Sequence, residues 1–434
     1  MRSGERDTIF ALSTAAGPAG IAVIRISGPN ASESLRLVHN GGRIKERRAE
    51  FRRLFDLTTH IHIDDAVVLW FPGSGSYTGE DVVEFQIHGG RAVTAALLGT
   101  LAQLAGFRPA EPGEFTRRAV ENGRMELTRA EGVADLIAAE TEAQRRLALR
   151  QYDGSLADLF GGWRERLIRA AAWIEAGIDF ADEEVPDDAI EQSRAELRRL
   201  QKEVELHLTD GRRGEIIREG FHIAVIGPPN AGKSSLVNAL ARRDVAIVSE
   251  IPGTTRDVIE VKLDLAGYAV VLADTAGLRE SAEPIELEGI RRARARAEAA
   301  DFRLLVLDAQ CPCSANEFAA DLVVLNKADL VPERDQHELY ISARTGEGLP
   351  ELIKLLGEQA ARGASTDAPL LTRARHRYAV EQVASCIGAA LREREPELAA
   401  EQLRRALHEL GRITGVVDLD ELLEVVFRDF CIGK

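Results

Sequence analysis

Short apolar runs closed by glycine, proline or aspartate recur through the first 120 residues: Thr8–Ser13, Ile21–Ile26, Ala66–Phe71 and Val82–Ile87. Runs of this length between turn formers read as strands, and Arg91–Ala105 carries helical spacing. Residues 1–120 therefore predict a mixed α/β domain. From Glu121 to about Arg218 the period changes. Leu127, Ala130, Val133, Ala134 and Ile137 fall three and four apart, as one buried helix face requires. Helices are expected across Leu156–Ile178 and Ala189–Leu208, with the acidic, Pro186-containing run Asp179–Asp188 as connector. Strand-like runs return at Ile223–Ile226, Ala269–Ala273 and Leu322–Leu325, inside a cassette of about 219–365. Residues Ala374–Phe430 are helical again, and the chain stops at CIGK. Helices at 121–218 and 366–434 point to one helical domain interrupted by an α/β insertion. No internal repeat or low-complexity tract is present.

The inserted cassette carries the chemistry. FHIAVIGPPNAGKSS places G-x-x-x-x-G-K-S, with Gly227, Gly232, Lys233 and Ser234, between an apolar strand and the helix-like run Leu236–Leu240. That is a phosphate-binding loop: backbone N–H groups and a helix N-terminus face the phosphates across Asn230, Ala231, Gly232, Lys233, Ser234 and Ser235. Lys233 adds a point charge and Ser234 can hold Mg²⁺. Downstream follow Thr254-Thr255, then Asp274, Thr275, Ala276 and Gly277, then Asn326, Lys327, Ala328 and Asp329, and finally Ser342, Ala343 and Arg344. Asp274 can reach Mg²⁺ through water and Gly277 can offer an N–H to the γ-phosphate. Asn326, Lys327 and Asp329 suit guanine, because a carboxylate accepts from its N1–H and exocyclic amine whereas adenine presents the opposite pattern. Order and spacing are those of a GTPase.

Bulk composition narrows the class. With 434 residues, 45% hydrophobic and 29% charged, the chain should form two to four soluble globular domains. No apolar run reaches membrane-spanning length and the N-terminus lacks a signal-peptide core, so a cytoplasmic protein is expected. Four cysteines do not make a disulfide framework, and Cys311-Pro312-Cys313 has the wrong spacing for a zinc knuckle. A net charge of −15 argues against indiscriminate nucleic-acid binding but leaves room for RNA on a local patch. The segment Gly42–Arg53 holds six basic and two acidic residues and reads first as solvated surface. Arg25 and Glu84 sit inside otherwise apolar strands. Each needs a solvated face, a partner or a ligand. His88, ahead of Gly89-Gly90, reads as structural.

Hydrolysis poses a separate problem. Where many GTPases carry a water-orienting glutamine after the DTAG sequence, this chain has Leu278. Asn230 inside the phosphate loop could coordinate a monovalent cation through its side-chain oxygen. Carbonyls of the turn Ser249, Glu250, Ile251, Pro252, Gly253, Thr254 and Thr255 could complete that coordination. Glu286 could polarise water directly or through a second water, although a solvated helix charge is the plainer reading of it.

GPPNAGKSS, SEIPGTTRD, DTAGLRE and the terminal CIGK together resemble the tRNA-modification GTPases of the MnmE (TrmE) family. IAVIRISG, VEFQIHGG, PGEFTRRA and NGRMELTRAEGVADLI extend the resemblance across essentially the whole chain. It implies an N-terminal folate-binding and dimerisation domain (1–120), a discontinuous helical domain (121–218 and 366–434) and an inserted Ras-like GTPase domain (219–365). It also implies GTP-dependent aminomethyl or carboxymethylaminomethyl addition to C5 of the wobble uridine of certain tRNAs. The implied partners are a second copy of the chain, tRNA and the flavoprotein MnmG (GidA), with no membrane involved. The implied cofactors are GTP, Mg²⁺, K⁺ and a tetrahydrofolate derivative in its 5,10-methylene or 5-formyl form. By the same resemblance K⁺ falls on Asn230, Ser249, Ile251 and Thr254, Mg²⁺ on Ser234 and Thr255, and the hydrolytic glutamate is Glu286. Folate contacts fall on Arg25, Glu84, Arg124 and Lys434. Cys431 is similar to the family's required C-terminal cysteine, yet it follows a helix C-terminus, where the dipole disfavours a thiolate.

Two departures stand out. Arg124 occupies a position where the family can carry lysine, keeping charge but changing geometry. Between Asp308 and Asn326, CPCSANEFAAD replaces a full connecting helix. The competing reading is a GTP-dependent assembly switch, such as a ribosome-biogenesis factor, which leaves the CIGK terminus unexplained. A folate enzyme with a vestigial GTPase is disfavoured by the intact nucleotide cassettes.

Overall fold

The computed structural model describes residues 7–38, 44–179, 187–210, 212–243, 245–247, 260–274, 300–311, 319–362, 371–417 and 433. Contacts divide the chain into two units, Met1–Ala134 with Gly411–Lys434, and Asp135–Leu410.

In the first unit six strands form one sheet: β1 (Thr8–Leu12), β2 (Ala19–Ser27), β3 (Glu50–Phe55), β4 (His62–Phe71), β5 (Val82–Gly89) and β6 (Phe107–Pro109), in the order β3-β4-β5-β2-β1-β6. Alternation decides the faces. Phe10, Ile24, Ile26, Leu54, Val68, Val83 and Phe85 point to one side and bury Leu97 and Leu101 of helix α1 (Arg91–Leu101). On the other side Ile9 and Ala11 pack under Phe115 of helix α2 (Glu114–Glu121). The basic stretch expected as solvated surface runs into β3, whose first four residues it includes. The strand's residues alternate between exposed and half-buried and only Leu54 is fully buried, so an edge strand there carries almost no hydrophobic signature. Helix α1 stops before the expected Ala105, because Gln103 and Leu104 turn back onto the carbonyls of Thr100 and Leu101.

The second unit begins within helix α3 (Leu127–Ala138) and continues through α4 (Glu142–Asp153), α5 (Ser155–Asp179), α6 (Asp187–Leu208) and α7 (Arg213–Glu219). The six-stranded sheet that follows has the order β12-β11-β10-β7-β9-β8, from β7 (Phe221–Ile226), β8 (Glu260–Leu265), β9 (Tyr268–Asp274), β10 (Phe302–Asp308), β11 (Leu322–Asn326) and β12 (Leu339–Tyr340). All its pairings are parallel except β8 with β9. Helices α8 (Lys233–Ala241) and α9 (Leu349–Arg362) bury Leu236, Leu240, Leu352 and Leu356 against it. Strands β8, β10 and β12 are additions to those read from the sequence. Despite the shortened connection, β10 and β11 keep parallel register from Leu304 opposite Leu322 to Asp308 opposite Asn326, and residues 312–318 lie outside the described set.

Helices from both sides of the insertion pack together. Trp163 of α5 is fully buried and donates to Glu203 of α6 at 2.8 Å. Helix α10 (Ala374–Arg392) lies against α6, and Leu197, Leu200, Val204, Val380, Val383 and Ile387 are all buried. Arg377 of α10 reaches Leu208 O at 3.0 Å, Asp210 at 2.8 Å and Glu215 at 2.8 Å, where α6 gives way to α7. Burial pushes the Glu215 carboxyl up, but hydrogen bonds from Arg377 and Arg212 outweigh it and hold it below the ordinary glutamate value. Helix α11 (Pro396–Thr414) follows, and residues 418–432 lie outside the described set.

One buried ionic network orders the charged end of the first sheet. Arg118, 5% exposed, donates to Glu80 at 3.1 Å, to Glu114 at 3.0 Å and to Asp7 O at 2.9 Å. Arg108 makes a bidentate pair with Glu114 at 2.6 and 2.8 Å, and Ser27 donates to Glu80 at 2.8 Å. Burial pushes the Glu114 carboxyl up. The Arg108 and Glu111 hydrogen bonds and the Arg118 charge more than reverse this, so it stays below its usual 4.5. A depressed carboxylate stabilises the fold fully above its unfolded value and loses that contribution as pH falls through the folded value. Glu114→Gln is therefore expected to destabilise the first unit by roughly 3 kcal/mol at pH 7, since it strands buried guanidinium charge. Urea denaturation from pH 7 down to pH 3 should show the difference from the parent shrinking below about 4.5.

Candidate functional site

The phosphate loop is fixed by its glycines and its lysine. It leaves β7 at Gly227, whose φ is +144°, and enters α8 at Gly232. A Cβ at Gly227 would overlap the Val306 carbonyl oxygen of the neighbouring strand, so only glycine lets the loop pass there. Lys233 Nζ lies 2.9 Å from the carbonyls of both Gly227 and Pro228, which curls the loop around its own ammonium group. Asn230 stands exposed at the tip with φ of +63°, a left-handed conformation that asparagine tolerates. Ser234 is half-buried in the first turn of α8.

The guanine end is assembled from three loops. Asn326, 2% exposed, donates to Ala231 O at 2.9 Å and accepts from Ala343 N at 3.0 Å. It braces the phosphate loop against the Ser342–Ala343 loop, a structural task that the spacing alone did not reveal. Ser342 donates to Asp329 at 2.7 Å, and that bond above all holds the Asp329 carboxyl below its ordinary value. Asp329 is thus an ionised acceptor, as a guanine edge with two adjacent donors requires. Lys327, with φ of +65°, pairs with Asp308 at 2.6 Å. Ala328 N donates to Ile341 O at 3.0 Å, while Arg344 is exposed and 3.9 Å from Asp329. These groups lie beyond the carboxyl ends of parallel strands β7, β11 and β12, where open α/β sheets bind ligands. The donor set fits a guanine nucleotide. Asp274 ends β9, with only its backbone described. Ser249, Glu250, Ile251, Pro252, Gly253, Thr254, Thr255, Thr275, Ala276, Gly277 and Glu286 lie outside the described residues, so the Mg²⁺ and K⁺ sets are seen only at Ser234 and Asn230.

The two charges flagged within the first sheet are partners. Arg25 and Glu84 stand directly opposite in the β2–β5 ladder, and Arg25 Nε donates to Glu84 Oε1 at 2.8 Å. Their side chains are 23% and 17% exposed, so neither lies on a freely solvated face. The guanidinium sits 5.5 Å from the Tyr77 ring and 5.8 Å from Phe115. The turn after Tyr77 runs on toward Arg124: Asn122 donates to Thr78 O at 2.7 Å, and a Cβ at Gly79 would lie 3.2 Å from the Arg124 side chain. Arg25, Glu84 and exposed Arg124 are thereby linked by one loop, itself held by Glu80 in the Arg118 network. An ion pair between two aromatic rings suits a flat heterocycle with adjacent N–H donors and an anionic tail, which a folate has. The His88 ring contacts Asp64 at 2.8 Å, a structural partner. Cys431 and Lys434 lie outside the described residues. Missed in the sequence were Tyr77, Phe115, Arg118 and Glu80, whose roles depend on distant strands.

Gly227→Ala is expected to weaken GTP binding at least roughly tenfold, from strain of about 1–3 kcal/mol plus the carbonyl overlap. Titration with a fluorescent GTP analogue measures it, and Glu84→Gln, in the other unit, should leave the affinity unchanged.

Comparison with known proteins agrees across the chain. The MnmE helical domain family matches residues 127–431 and the family described as GTP-binding protein TrmE N-terminus matches residues 8–124. The tRNA modification GTPase MnmE of Parvibaculum lavamentivorans is 53% identical, covering 99% of this chain and 100% of that protein. The protein of the same name from Paramagnetospirillum magneticum is 52% identical, again over 99% and 100%. The mitochondrial 5-taurinomethyluridine-[tRNA] synthase subunit GTPB3 of Homo sapiens is 48% identical over 99% of this chain and 94% of its own length. With an assembled phosphate loop, a guanine end and a charged second site in one chain, the protein belongs to the MnmE (TrmE) family of tRNA-modification GTPases.

Proposed function

We propose that this chain is a K⁺-stimulated GTPase that, with a flavoprotein partner, modifies C5 of the wobble uridine of certain tRNAs. The added group is aminomethyl or carboxymethylaminomethyl, and a tetrahydrofolate derivative supplies its one-carbon unit. The observation that carries the reading is that the nucleotide site and the aromatic-flanked Arg25–Glu84 pair coexist in a chain of this family. We further assign domains at 1–120, 121–218 with 366–434, and 219–365, and a cytoplasmic, homodimeric protein. Among the described residues no helix is long and apolar enough to cross a membrane.

Each residue set has a role in this reading. Lys233 and the loop N–H groups hold the phosphates, and Ser234 and Thr255 hold Mg²⁺, with Asp274 acting through water. Asn230, Ser249, Ile251 and Thr254 hold K⁺, which supplies positive charge where the transferring phosphoryl group develops negative charge. Glu286 polarises the attacking water, a task Leu278 cannot perform. Arg25, Glu84, Arg124 and Lys434 hold the folate, and Cys431 serves the modification step.

GTP hydrolysis by the purified chain is expected to run at least roughly tenfold faster in K⁺ than in Na⁺ at matched ionic strength, an electrostatic effect lost in Asn230→Ala. Equal rates in the two salts would remove the cation from the mechanism and favour a switch that needs an external activator.

A further inference from the structure

Asp329, the acceptor for the guanine edge, lies on a short 3₁₀ turn, Ala328–Leu330, that must be held within reach of the Ser342 hydroxyl. Backbone bonds do part of this: Leu330 N donates to Lys327 O at 2.9 Å and Val331 N to Ala328 O at 3.2 Å. The rest comes from Arg334. Its Nη2 donates to Ala328 O at 2.8 Å, and its Nη1 donates to Glu347 Oε1 at 2.5 Å. The guanidinium carbon stands 5.8 Å from the centre of the Tyr340 ring, at the end of β12. Glu347 belongs to the loop that carries Ser342, and its carbonyl accepts from Ser342 N at 2.9 Å. Thr345 N donates to Ser342 Oγ at 3.1 Å in the same loop. Gly348 closes it with φ of +70°, where a Cβ would overlap the Tyr340 carbonyl oxygen. One guanidinium thus grips both loops that build the guanine end.

We propose that Arg334 and Glu347 are positioning residues for guanine recognition: their ion pair straps the Asp329 turn to the Ser342 loop and so sets where the Asp329 carboxylate meets the base. Both lie outside the NKAD and SAR sequences. A planar guanidinium can serve a carbonyl and a carboxylate at once in fixed geometry, which the point charge of a lysine cannot. The Arg334 hydrogen bond holds the Glu347 carboxyl below its usual 4.5, so the pair is formed at neutral pH. Arg334 also acts on Asp329 through space. The Ser342 bond is the main cause that keeps the Asp329 carboxyl ionised, and the charges of Arg344 and Arg334 add to it. Both members of the strap are partly solvated, so its contribution lies in geometry more than in stability. The role rests on guanine-nucleotide binding by this site and is independent of wobble modification and of K⁺.

The test measures Kd for GTP and for ITP on the full-length chain, by competition against a fluorescent GTP analogue. ITP lacks only the exocyclic amine, so the ratio of the two constants reads the bond that Asp329 accepts from that amine. In Arg334→Ala and in Glu347→Gln the preference for GTP over ITP should fall about threefold, the size a partly solvated ion pair supports, with kcat at saturating GTP unchanged. The double variant should lose no more preference than either single one, because both act through one strap. Arg334→Lys, which keeps the charge and loses the fork, should stay nearer to Arg334→Ala than to the parent. An unchanged preference in the single variants, or GTP and ITP weakened by the same factor, overturns the positioning role. Losses that multiply in the double variant, or full recovery in Arg334→Lys, overturn the strap. A parent chain that does not prefer GTP to ITP removes the guanine reading of Asp329, and this proposal with it.

Discussion

A single guanidinium closes the break in the helical part of the chain. Arg377, contributed after the inserted sheet, binds Leu208 O, Asp210 and Glu215, all contributed before it. Close by, Asp135 receives both Arg218, from the last helix before the insertion, and Arg373, from just after it, at 3.0 and 2.8 Å. The segments leading into and out of the nucleotide-binding sheet are therefore pinned to each other by charge-assisted bonds. Glu215 is 2% exposed, so its charge is stable there only while the arginines stay in place. The geometry gives the inserted sheet a defined root in the helices. Two further bonds, Ala143 N to Gly267 O and Lys262 to Glu140, both at 3.0 Å, hold its β8–β9 edge to the same helical region.

The first unit solves a similar problem with the same chemistry. Its Arg25–Glu84 pair lies on a sheet, and the loop that carries Tyr77 sets an aromatic ring against the guanidinium. That loop is held by Glu80, which takes Arg118 on one side and Ser27 on the other. Arg118 in turn depends on Glu114, and Glu114 on Arg108.

The two candidate sites differ in how far a linear reading reaches. Phosphate loop, NKAD and SAR are local cassettes, each short enough that the geometry is set by adjacent residues: a glycine with positive φ, a helix start, a turn after a strand. Their type and order sufficed to announce guanine-nucleotide binding. Even there the sequence understated Asn326, whose buried amide ties two loops together. The charged site is non-local. Arg25 and Glu84 are separated by 59 residues, and only antiparallel register places them opposite each other. The periodicity marked both as anomalous charges in apolar strands, which was the correct signal, but gave no reason to pair them.

Hydrophobic periodicity and turn chemistry determined by themselves the α/β start, the helical stretches and the inserted nucleotide-binding cassette, because those features depend on neighbours within a few residues. Strand β3 escaped, since an edge strand with one buried residue has no alternation to read. The short 309–325 segment was expected to leave the nucleotide contacts intact, and β10 and β11 do pair in parallel register across it. Tertiary structure alone decided that Arg25 meets Glu84, that Arg377 closes the helical part around the insertion, and that Gly433 returns to Ser13 across 420 residues. Such contacts are fixed by strand register and by packing of whole elements, and the energy that selects them is summed over many buried side chains and resides in no single stretch of sequence.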